Sequence, residues 1–77
     1  MPTWSIKGIG GVKFEIRPKE KGHNVPHIHA HYEGKNVSIS FDGAVLAGGI
    51  KRRKQIEAIN WVLNNKELLE KKWKEMH

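Results

Sequence analysis

Residues 27–47, HIHAHYEGKNVSISFDGAVLA, decide the fold, because an apolar alternation of period two runs through them across two turn signals. Ile28, Ala30 and Tyr32 recur at every second position, so a strand over residues 27–33 puts them on one face. Glu33-Gly34-Lys35-Asn36 then reads as a hairpin turn. Val37, Ile39 and Phe41 continue the apolar face, with Ser38 and Ser40 opposite. Asp42-Gly43 is a two-residue hairpin signal that leads into a further strand over residues 44–47.

The same periods extend outward from this stretch. Upstream, Val12, Phe14 and Ile16 alternate with Lys13, Glu15 and Arg17, and Pro18 ends that strand. Residues 19–25 read as a loop in which Pro26 holds Val25 extended. Trp4 and Ile6 form a short first strand, and Gly8, Gly10 and Gly11 allow a bulge or turn after it. Downstream, Gly48-Gly49 closes the strand pattern and a helical one begins. Ile56, Ile59 and Leu63 fall at i, i+3, i+7, and Trp61 and Val62 widen the stripe. Asn65 can cap a second helix, in which Leu69, Trp73 and Met76 recur beside Leu68. Trp61 and Trp73 are assigned to the core, as is Trp4.

The expected fold class is α+β: an antiparallel β-meander of about three to five strands followed by two C-terminal helices packed on one sheet face. Residues 1–77 are expected to form a single domain. With the helices on one face, the other is expected to be left to water. That face would present Lys13, Glu15, Arg17, His27, His29, His31, Glu33, Ser38 and Ser40.

A chain of 77 residues buries roughly 60% of its unfolded surface, and its stability is expected to be ~4–12 kcal/mol. It has no cysteine, which excludes a disulfide and every thiolate zinc site and is consistent with a reducing compartment. No stretch approaches the roughly 18–20 apolar residues of a membrane span. Met1-Pro2-Thr3-Trp4-Ser5 lacks the basic and apolar regions of a signal peptide, so a cytoplasmic location is expected. Fourteen Lys and Arg against eight Asp and Glu give a net charge of +6, which attracts nucleic acid or an acidic protein partner.

His27, His29 and His31 share one face of their strand and are the candidate catalytic residues. Neighbours lie about 6.8 Å apart along the strand and the outer pair about 13.6 Å. One metal ion can therefore bind His27 with His29, or His29 with His31, but not the outer pair alone. His23, His27 and His29 are the candidate metal ligands, zinc the candidate ion, and Glu15, Glu33 and Asp42 further donors. No other cofactor is expected. Two neighbouring imidazoles can also act as acid and base in phosphodiester cleavage.

Lys51-Arg52-Arg53-Lys54 falls where the first helix begins, the end at which the helix dipole disfavours cations. Free N–H groups and four cations together favour an anion such as phosphate. Lys51, Arg52, Arg53 and Lys54, with His27 and His29, are the candidate nucleic-acid or anion-binding residues.

The alternation His27-Ile28-His29-Ala30-His31-Tyr32 looks like that of histidine-triad nucleotide hydrolases. Glu33, however, stands where that pattern has an apolar residue, and those proteins place a helix and several strands before the motif. A different resemblance covers nearly the whole chain. Met1-Pro2-Thr3, His23-Asn24-Val25-Pro26-His27-Ile28-His29-Ala30, Tyr32 and the helical tail are similar to a small prokaryotic domain family of unknown function, family 4160. Its most specific motif is His-Asn-X-Pro-His-X-His, to which His31 is an addition. Members resemble one half of two-gene modules of toxin–antitoxin type. The resemblance thus implies a partner protein encoded nearby and transfers no catalytic residues. The function expected is a small basic binding module for that partner, for nucleic acid or for both. The alternative is a histidine- or metal-dependent phosphodiesterase or ribonuclease using His27 and His29.

Overall fold

The computed structural model describes residues 4–16 and 26–76. Strands β1 (Trp4–Lys7), β2 (Lys13–Ile16), β3 (His27–Tyr32), β4 (Lys35–Ser40) and β5 (Val45–Gly48) precede helices α1 (Arg52–Asn64) and α2 (Lys66–Met76). The strands lie side by side in chain order, each antiparallel to the next. The fold is therefore α+β, a five-stranded meander followed by two helices. No helix among the described residues is long and apolar enough to cross a membrane.

Register follows from the alternation. Phe14 pairs with Ala30, Ile28 with Ile39 and Ala30 with Val37, which brings the apolar residues of three strands onto one face. Ala58 and Val62 of α1 and Leu69 of α2 complete that core. Trp61 stacks on Phe14, with ring centroids 4.1 Å apart and planes 13° from parallel.

Turns set the geometry between strands. Glu33 and Gly34 both have positive φ, 48° and 78°, so the β3–β4 hairpin closes on a primed two-residue turn whose twist matches its strands. The β4–β5 turn is longer than the expected Asp42-Gly43 pair. The Gly43 N–H donates to the Ser40 carbonyl at 2.9 Å and the Ser40 N–H to the Ala44 carbonyl at 2.8 Å. Phe41-Asp42-Gly43 is thus a three-residue loop with Gly43 at φ 90°, the arrangement that ends in a glycine bulge.

Gly48 is needed for a different reason. It holds φ 73°, and a Cβ there would lie 2.5 Å from the Asn36 carbonyl oxygen of β4. Gly48→Ala is expected to cost about 2–4 kcal/mol in urea unfolding, from left-handed strain plus a backbone clash. Gly34→Ala has nothing within 4 Å of the new Cβ, so only the strain of about 1–2 kcal/mol applies.

Three expectations are corrected. The face opposite the core is not open along its length: His27 is 2% exposed, His29 7% and Ser40 5%. The stripe of α1 that packs inward is Ala58, Ile59, Trp61 and Val62, whereas Ile56 and Leu63 remain exposed at 52% and 47%. Asn65 precedes α2, its carbonyl accepting from the Leu69 N–H at 3.0 Å, but its side chain donates to the Trp61 carbonyl at 2.8 Å and so closes α1. Arg17, Pro18, the loop at 19–25 and His23 lie outside the described residues, as does the side chain of Met76.

Candidate functional site

The candidate cations gather where α1 begins. Lys51 stands at the N-cap without a side-chain hydrogen bond, and no acidic residue occupies the first turn. The first helical hydrogen bond runs from the Gln55 N–H to the Lys51 carbonyl at 2.8 Å. The N–H groups of Arg52, Arg53 and Lys54 therefore precede the helical ladder, at the positive end of the helix. The Gln55 side chain reaches back to accept from the Ile50 N–H at 3.1 Å, which fixes the angle at which the chain enters α1.

The four cations are not equivalent. Lys54 turns inward, with Nζ 3.5 Å from Glu57 and 5.5 Å from the centroid of the Tyr32 ring. Lys51, Arg52 and Arg53 are exposed, and no ion pair engages them among the described residues. Lys51 also lines a cleft with Tyr32, Glu33 and Lys35, which brings the basic turn against the β3–β4 hairpin. Tyr32 and Lys35 were missed by sequence reasoning. Only the docking of α1 on the sheet brings them to Lys51 and Lys54, and no local pattern reports that.

The histidine strand divides in two. His27 and His29 are buried, their rings edge to face at 5.0 Å and 78°. Trp73 of α2 lies 5.4 Å from His27 and 6.1 Å from Phe41, at the end of the sheet where β3 starts and β4 ends. His29 Nδ1 lies 3.2 Å from the Ser38 hydroxyl on the paired strand. His31 is half-buried, its side chain 30% exposed, and Nε2 sits 3.4 Å from a Glu15 carboxylate oxygen. Among the described residues no three His, Asp or Glu gather closely enough to hold a metal ion.

Basic turn and histidine row therefore do not form one surface. Lys51 meets the chain at Tyr32, whose side chain points to the face opposite His31. His27 starts the same strand, about 13.6 Å from His31 along it. Of the candidate anion-binding residues, Lys51, Arg52 and Arg53 are reachable by a large ligand, while His27 and His29 are enclosed.

A family model described as "Domain of unknown function (DUF4160)" matches residues 11–74. No curated protein and no solved structure matches the chain.

Proposed function

Given that the chain belongs to the domain-of-unknown-function family DUF4160, we propose that it is a non-catalytic binding module that engages an acidic macromolecule through the first turn of α1. The observation that carries this reading is the exposed Lys51, Arg52 and Arg53 at a helix start with no acidic residue in its first turn. A positive helix end and three cations repel one another, and an anionic partner relieves both. The partner is a protein or a nucleic acid, and the module acts as one component of a two-gene pair of toxin–antitoxin type. A net charge of +6 supports either partner.

The enzymatic alternative asks more of the fold. Acid–base cleavage by His27 and His29 needs both rings within hydrogen-bond reach of substrate, yet both are buried.

Binding to a short mixed-sequence RNA and to a polyglutamate peptide, each across a salt series, tests the proposal. With Arg52→Glu/Arg53→Glu, the slope of log K against log salt for the polyanion that binds is expected to fall by about two, roughly one per lost contact. Binding that ignores salt, or that survives the double substitution, would remove the basic turn from the function.

A further inference from the structure

Strand β5 is a short edge strand of the sheet. Val45, Leu46, Ala47 and Gly48 are all exposed, and among the described residues no strand pairs with their outer side. Edge strands are ordinarily blunted by shortness, a bulge, charge, proline or a cover, and β5 relies on the first two. The segment Val-Leu-Ala-Gly carries neither charge nor proline. Its one irregularity is the register shift opposite Ser38 and Ile39, which leaves Leu46 as the extra residue.

An apolar stripe runs beside this edge. A Cβ on Gly43 would lie 3.2 Å from Leu63 and 3.5 Å from Ile59, while one on Gly49 would lie 3.5 Å from Gln55. α1 therefore runs antiparallel to β5, with Leu63 at the start of the strand and Gln55 beyond its end. Ile56 and Leu63 are exposed at 52% and 47%, Val45 and Leu46 at 43% and 42%. Single exposed apolar side chains are ordinary, but four of them on an unpaired strand and on the helix that passes its two ends are a candidate binding surface. Arg52, Arg53 and Ile56 share a cleft at the N-terminal end of α1 with Glu57, whose carboxylate lies 3.5 Å from Lys54.

We infer that the β5 edge and the α1 stripe form a docking groove for an extended segment of a partner protein, apolar on one face and acidic, which adds as a sixth strand. This rests on the binding-module reading and names its partner class. Backbone hydrogen bonds to β5 supply affinity, and alternate side chains of the segment meet the stripe. Charge selects the occupant. Arg52 and Arg53 at the groove's end match an acidic segment, whereas a second copy brings another net +6 against the first. An apolar strand edge offers nucleic acid neither cations nor stacking rings.

The test is selection of a random twelve-residue peptide library against the chain, with the enriched peptides mapped by amide NMR. Peptides that alternate apolar and acidic residues are expected, with shifts in β5 and along α1. Leu46→Lys and Ile56→Lys alter exposed side chains and are expected to keep the native melting temperature while weakening the peptides about tenfold or more. No enriched peptide, or enriched peptides whose shifts spare β5, would overturn the inference. So would dimerisation of the free chain that Leu46→Lys abolishes, since the groove would then belong to a second copy. Salt-dependent polyanion binding lost with Arg52→Glu/Arg53→Glu but untouched by Leu46→Lys would leave the basic-turn reading standing without the groove.

Discussion

Phe14→Ala is expected to bring the chain close to unfolding at ordinary temperature. Phe14 is 1% exposed and stacks on Trp61 at 4.1 Å, so it joins the central strands to α1. A Cβ on Gly8 would run into the same ring, which shows that the site is filled from the β1 side as well. Truncating a buried Phe costs about 3–5 kcal/mol, and the lost stacking is part of that cost. Set against a total of ~4–12 kcal/mol, this is a large fraction. The melting temperature, followed by circular dichroism, should fall by at least about 15 °C. Phe14→Leu keeps most of the volume and should recover more than half of the loss. A fall of only a degree or two for Phe14→Ala would mean that α1 does not dock on the sheet through this stack.

The meander was legible because its signals are local. Alternation at Phe14 and Ile16, at Ile28 and Ala30, and at Val37 and Ile39 fixes which face each strand buries, and Glu33-Gly34 marks a turn. The rotation of α1 was not legible. Its sequence has two overlapping apolar rows, Ile56-Ile59-Leu63 and Ala58-Trp61-Val62, and spacing alone favours the bulkier aliphatic one. What selects the other is the flat ring of Phe14, which accepts Trp61, and the close approach that Ala58 permits at 1% exposure. Tertiary fit overrides amphipathic ranking here: Ile59 still packs on the core, while Ile56 and Leu63 are left on the surface.

The candidate site shows the same division. Lys51-Arg52-Arg53-Lys54 at the helix start was readable from the preceding glycines and the following apolar period. That Lys54 would leave the cluster for Glu57 and Tyr32 was not, since the pairing depends on where the β3–β4 hairpin ends. Period two placed the three histidines on one face, but nothing local distinguishes a solvated imidazole from one enclosed beside a tryptophan of the last helix. Trp73 belongs to α2, and its approach to His27 is a consequence of the whole chain closing.

His27→Ala is expected to destabilise the fold by about 2–4 kcal/mol, well above the effect of the same change at His31. His27 is 2% exposed and packs its ring against His29 at 5.0 Å and Trp73 at 5.4 Å, so truncation opens a cavity where β3, β4 and α2 meet. The side chain of His31 is 30% exposed and meets Glu15 at 3.4 Å, and a polar contact so accessible contributes about 1 kcal/mol or less. Urea unfolding of both variants, with His27→Phe beside them, separates ring volume from polar contacts. If the ring serves mainly as packing, His27→Phe should retain more than half of what His27→Ala loses. If His27→Ala is instead as stable as the parent, the imidazole is held in place without supporting the core. That outcome would remove the packing role assigned to His27, while its burial, and with it the objection to cleavage, would stand.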